Sequence, residues 1–189
     1  TTGGQNTASG YKALFTNTTG SDNVALGKDA LKLSTTASNN TAVGRSALTA
    51  NTTGNYNTAV GGSALAAATT AIFNTAVGYM ALTTTITGQE NTAVGMEALK
   101  VNTAHYNTAV GAKALTANTT GAYNTALGRQ AMQANTTADR NVSVGYTSMF
   151  SNTTGQYNTA LGMNSLYANT SADYNTAVGY DALQATTTG

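Results

Sequence analysis

His105 is the only histidine of this chain, and there is no cysteine. A hydrolytic triad sets an imidazole between a nucleophile and an acid, and the usual zinc centres gather several imidazole or thiolate ligands. One imidazole supplies neither within a single chain, so His105 reads as a solvent-exposed residue of a turn. The seven acids are Asp22, Asp29, Glu90, Glu97, Asp139, Asp173 and Asp181. They form no Asp-x-Asp-x-Asp run and no calcium-binding nonapeptide pattern. Glycoside cleavage needs two carboxylates flanking one bond, and only Glu90 and Glu97 share a short stretch of chain. The expectation is a protein that is not an enzyme, with no catalytic residue, no metal and no cofactor.

Charge narrows the partners further. Only 8% of residues are charged and the formal net charge is +1. Nucleic-acid and anionic-membrane binding draw on clustered Lys and Arg, so neither partner is expected. No apolar run approaches the ~20 residues of a membrane span, and no signal peptide opens the chain. Without cysteine, no disulfide framework exists and the redox compartment leaves no trace. The start at Thr1, without Met, points to a processed product or an excised segment.

What dominates the chain is repetition. The stretch Asn57-Thr58-Ala59-Val60-Gly61 recurs in near-copies from end to end. Its closing glycines are Gly10, Gly27, Gly44, Gly61, Gly78, Gly95, Gly111, Gly128, Gly145, Gly162 and Gly179. The step is 17 residues throughout, except 16 from Gly95 to Gly111, where the turn Asn102-Thr103-Ala104-His105-Tyr106 is one residue short. The consensus is N-T-A-V-G-x-x-A-L-x-A-N-T-T-G-x-Y. A fixed short period decides the fold class before any single residue does. The A-L pair is followed too soon by the Asn-Thr-Thr turn to leave room for a helix of ~10 residues. Residues 1–189 therefore read as one array, an all-β parallel β-solenoid, or β-roll, of eleven ~17-residue coils in which each unit contacts mainly its neighbours. Both ends stop at the same phase of the repeat and neither resembles a cap, which suggests a window from a longer array or ends covered by other chains.

Within a coil, T-A-V reads as the main strand. Because Val24 and Val142 replace Thr and Leu26, Leu127 and Leu161 replace Val, the Thr/Val face is expected to point into the coil, with Ala turned toward a tight neighbour. Ala-Leu, as in Ala47-Leu48, forms a second short strand or corner, and its leucines are expected to stack with the valines in one apolar column. Burying such a side chain contributes roughly 1.5–3 kcal/mol against ordering costs of roughly 1–2 kcal/mol per residue. Two per coil leave a lone stack under-stabilised, which argues for association of several chains. The Asn of every unit, including Asn40, Asn57, Asn74, Asn91, Asn107 and Asn124, can form an amide ladder along the axis. The glycines Gly44, Gly61, Gly78, Gly95, Gly111 and Gly128 mark a corner that needs positive φ or close backbone approach. The residue before the Asn varies and marks the surface. There Tyr56, Tyr106, Tyr123, Tyr157 and Tyr174 either cover the edge of a narrow core or offer contacts for a cell-surface glycan or protein. Sequons at Asn17, Asn39, Asn51, Asn118, Asn135, Asn141, Asn152 and Asn169 are candidate glycosylation sites if the source modifies secreted proteins.

The units Asn40-Thr41-Ala42-Val43-Gly44-Arg45-Ser46-Ala47-Leu48 and Asn175-Thr176-Ala177-Val178-Gly179-Tyr180-Asp181-Ala182-Leu183 resemble the head repeats of YadA-like trimeric autotransporter adhesins. The longer form with N-T-T-G turns is similar to repeats of phage tail fibres and bacterial surface fibres. The resemblance covers all eleven units. It implies a β-roll packed side by side as a homotrimer, with the Ala of N-T-A-V-G toward the trimer axis, and it implies no ligand residue. The function expected is a non-enzymatic structural protein, the shaft of an extracellular fibre or filament of adhesin or tail-fibre type, at a cell surface or on a virion. Its first partner is itself, with end-to-end growth also expected. The alternative is an ice- or crystal-surface-binding solenoid, resting on the 38 threonines and on stacked pairs such as Thr52-Thr53 and Thr119-Thr120.

Overall fold

A computed structural model describes residues 2–187. The T-A-V segments become eleven three-residue strands. They are β1 Thr7–Ser9, β2 Val24–Leu26, β3 Thr41–Val43, β4 Thr58–Val60, β5 Thr75–Val77, β6 Thr92–Val94, β7 Thr108–Val110, β8 Thr125–Leu127, β9 Val142–Val144, β10 Thr159–Leu161 and β11 Thr176–Val178. All lie parallel in one sheet, in chain order. Like residues pair with like, as Thr41 with Thr58, Ala42 with Ala59 and Val43 with Val60. The short unit keeps this register, with Thr92 opposite Thr108. The missing residue is absorbed in the turn, where the Ala104 carbonyl accepts from Asn91 Nδ2 at 2.9 Å in the place that Gly54 or Ala71 takes in other coils.

Backbone pairing does not stop at the strand ends. Around the third coil, Ser46 N donates to Lys28 O of the preceding coil, while Leu48 N and Ala50 N donate to Ala64 O and Ala66 O of the next, at 2.9–3.1 Å. Ala-Leu is thus a corner rather than a second strand. Ala47 and Leu48 are both fully buried, which a strand cannot do with adjacent residues because its side chains alternate. Leu48 has φ 50°, and this left-handed turn brings both side chains inside. Three non-glycine residues per coil take positive φ, as at Tyr56 (58°), Ser63 (58°) and Leu65 (49°). Each such residue costs roughly 1–2 kcal/mol, and the coil-to-coil hydrogen bonds and buried leucines offset it.

The facing of the strand is the reverse of the sequence expectation. Ala42, Ala59, Ala76, Ala93, Ala109 and Ala126 are fully buried, whereas the flanking Thr and Val are only partly buried on the outer side. The coil is thin, and its inward leucine column already fills it. The sheet side therefore accepts only a methyl group. Coil nine shows the packing directly, because Ser143 replaces the strand alanine, Ser148 replaces the corner alanine, and Ser143 Oγ donates to Ser148 O at 3.0 Å. Leucines do form the buried column, with Met132 and Met149 in two coils, but the valines are not part of it. The alanine column is covered within one chain, so it cannot be the face turned toward a trimer axis.

The closing glycines meet both demands of a tight corner. A Cβ on Gly61 would lie 2.5 Å from Gly78 O, and its φ is 133°.

Candidate functional site

Two asparagine ladders anchor everything outside the core. Asn57 N and Nδ2 both donate to Asn40 Oδ1, at 2.9 and 3.2 Å, and Nδ2 also reaches Ala71 O at 2.8 Å. Asn74 repeats the pattern on Asn57, and Asn91 on Asn74. Asn107 and Asn124 continue the column through backbone donors, at 3.0 and 2.9 Å. The second ladder is the Asn of the N-T-T turn, interrupted at Ser34, Ala68 and Thr85 and continuous from Asn102 to Asn169. Asn118 Nδ2 donates to Asn102 Oδ1, and Asn135 to Asn118, each at 2.7 Å. Sequence reading held these turn residues as candidate glycosylation sites. Asn51, Asn118, Asn135, Asn152 and Asn169 are instead fully buried, with their amide nitrogens engaged, so the folded chain offers no glycosylation there. Of the sequon asparagines, Asn39 is exposed. The signal for burial was available, since an Asn repeated at the coil spacing can be a ladder in a turn as well as in a strand.

The residue before the ladder Asn has positive φ in every coil, between 53° and 60°, and stands outside. Successive side chains lie one coil apart and meet face to face. Tyr56 stacks on Phe73 at 5.1 Å, Tyr106 on Tyr123 at 5.0 Å and Tyr157 on Tyr174 at 5.0 Å, with planes within 15° of parallel. Arg140 fills one slot of the column with a planar cation, its guanidinium carbon 5.4 Å from the rings of both Tyr123 and Tyr157. Arg140 Nη1 also donates to Tyr157 Oη at 3.1 Å. The stacked faces cover one another, which leaves edges and hydroxyls at the surface. Within this column a sugar finds open ring faces where it is interrupted or ends, as at Tyr174, which is largely exposed. One interruption is Glu90, between Phe73 and Tyr106, and there a shallow depression is lined by Phe73, Glu90 and Thr92.

A second outer column follows the closing glycine, where Arg129 lies 5.7 Å from the Tyr146 ring and Tyr79, Met96 and Tyr180 are exposed. A further stacked pair, Phe150 on Tyr167 at 5.3 Å, was missed in the sequence. Each of these rings directly follows the Ala-Leu position, 17 residues apart, and that spacing was the available sign.

His105 is half-buried rather than simply exposed. Its Nδ1 accepts the Gln89 N–H at 3.1 Å, and its ring tilts against Tyr106 at 5.9 Å. The same corner N–H is satisfied by Asp139 for Ala122 and by Asp173 for Gln156, so two of the acids serve as backbone acceptors. Asp29 pairs with Lys32 and Glu97 with Lys100. The Lys100 ammonium, 2.8 Å away, holds the Glu97 carboxyl below the usual glutamate range, against a smaller opposing effect of burial. Glu90 and Glu97 occupy different columns. Among the described residues, no three His, Asp or Glu side chains gather as metal ligands, and no helix is long and apolar enough to cross a membrane. No protein-family description, curated protein or solved structure matches the chain.

Proposed function

We propose that this chain is a non-enzymatic structural protein, a shaft segment of an extracellular fibre or filament built from side-by-side copies of itself, three in the leading arrangement. The observation that carries the reading is the unbroken register of all eleven strands, continued around the corners by backbone bonds and by the Asn ladder that runs through every coil. At about 4.8 Å per coil, the array spans about 50 Å with no hinge between coils, which suits a spacer. The contact face in this reading is the outer Thr/Val face. Its strand positions carry only Thr, Val, Leu and Ser, whereas every charged side chain lies elsewhere. That strip alone is about 350 Å² from strand spacing. A stable contact takes about 800 Å² per partner, so the flanking Tyr, Phe and Met columns join it.

Light scattering of the purified chain, with electron microscopy of the particles, tests the assembly. Rods with several chains in cross-section, dispersed by Val77→Lys with Val94→Lys, are the expected result. A monomer at millimolar concentration would remove the proposal.

A second reading, surface binding to ice or another crystal, has one observation in its favour, and it moves the relevant threonines. In the turns, Thr52 Oγ1 donates to Thr69 O and Thr119 Oγ1 to Thr136 O, so those hydroxyls are already engaged. The strand threonines Thr41, Thr58, Thr75, Thr92, Thr108 and Thr125 form one outward column. A thermal hysteresis assay on wild type and Thr75→Lys decides this reading, and absence of hysteresis ends it.

A further inference from the structure

The outer ring column has one slot of the wrong chemistry. Between Tyr123 and Tyr157 the intervening residue is Arg140, and its guanidinium lies 5.4 Å from both ring centres. Between Phe73 and Tyr106 the intervening residue is Glu90. A carboxylate cannot stack as Arg140 does, because the face of an aromatic ring carries the negative end of its quadrupole. Phe73 is covered by Tyr56 on one side, and the depression lined by Phe73, Glu90 and Thr92 opens beside it. Phe73 and Tyr106 are two coil steps apart, about 10 Å by strand spacing, the same two steps that separate Tyr123 and Tyr157. Among the described residues, Glu90 has no ion-pair partner, and no cation lies over Phe73 or Tyr106.

We infer that the slot at Glu90 binds a guanidinium group, supplied by an arginine side chain of a partner polypeptide, between the Phe73 and Tyr106 rings. The cation stacks on the ring faces as Arg140 does internally. Its N–H groups donate to the Glu90 carboxylate in the planar fork geometry that an ammonium lacks. The Thr92 hydroxyl at the rim offers a further acceptor. This inference stands on the slot alone and holds whether or not the chain forms a fibre shaft.

The test is a titration of the full chain with N-acetyl-arginine amide, followed by NMR at Phe73, Glu90, Thr92 and Tyr106. N-acetyl-citrulline amide serves as the neutral isostere and methyl glucoside as the sugar probe. The expected result is saturable millimolar binding of the arginine compound at these four residues. Glu90→Gln weakens it roughly two- to five-fold, the size of an exposed ion pair. Phe73→Ala weakens it by a similar factor, the size of one cation–π contact. Glu90→Arg, which copies the Arg140 arrangement, abolishes binding while leaving the melting temperature unchanged or raised. Equal binding of the citrulline compound, preferential saturation by methyl glucoside, or undiminished binding in Glu90→Arg would each overturn the inference. If Glu90→Arg also lowers the oligomeric state of the protein alone, the slot is supported and its arginine comes from a second copy of this chain.

Discussion

Replacing Ser34 by Asn should stabilise this protein, and the amount follows from two orphaned atoms. The turn ladder runs from Asn17 to Asn51 through Ser34. In the intact part of the column each Asn Nδ2 donates to the Oδ1 of the preceding Asn, as Asn135 does to Asn118 at 2.7 Å. Serine has no second group to reach both neighbours, and Asn17 Oδ1 and Ser34 Oγ are both buried without a partner. Ser34→Asn supplies an Nδ2 for Asn17 Oδ1 and an Oδ1 for Asn51 Nδ2. Two net hydrogen bonds contribute about 1 kcal/mol each, less about 0.5–1 kcal/mol of side-chain entropy. The expected gain is about 1–1.5 kcal/mol. For a chain of this length that raises Tm by roughly 2–6 °C. Space is not the obstacle, since Asn135 and Asn169 fit the same turn with Ala138 and Ala172 three residues on, as Ala37 follows Ser34. The assay is thermal and urea unfolding of wild type, Ser34→Asn and the reverse change Asn135→Ser, which should cost about 2 kcal/mol. If Ser34→Asn is neutral or destabilising while Asn135→Ser costs nothing, the ladder is not a stabilising element and the reasoning fails.

Three other outcomes are expected. Gly61→Ala should destabilise by about 3 kcal/mol or more through backbone clash at a positive φ, seen as a lower Tm or loss of soluble protein. Ala59→Val should cost about 1–3 kcal/mol by overpacking, whereas Val60→Thr on the outer face should stay within about 0.5 kcal/mol; a reversed order in urea melts would put the valine back inside. The lowered Glu97 pKa gives stability that is present above the ordinary glutamate pKa of about 4.3 and is lost as pH falls through the folded-state value. Wild type should therefore melt above Glu97→Gln at pH 7 and level with it at pH 2, and a gap that persists in acid would refute the Lys100 pairing as its source.

The period, the all-β class, the strand positions and the register were legible in the residues themselves. A 17-residue step with Asn and Gly at constant phase can satisfy coil-to-coil hydrogen bonds in only one alignment, and the 16-residue step sits in a turn, where a deletion leaves the sheet intact. The outward position of Tyr56, Tyr106, Tyr123, Tyr157 and Tyr174 was legible too, because that position varies freely in type. Which side of T-A-V faces inward was not. Substitution of Thr by Val and of Val by Leu says that a site tolerates apolar bulk, and an outer face flanked by rings tolerates it as well as a core does. The decision lay in the width of the coil. Leu48 and its equivalents, turned inward by a left-handed backbone, fill the interior and leave room for a methyl group opposite, so alanine goes in and valine stays out. The burial of Asn51 and its ladder was signalled by recurrence at the coil spacing, and the structure adds the corner that closes over the turn. A three-residue strand carries too little alternation to specify its own inner face, and packing across the coil supplied what the sequence pattern left open.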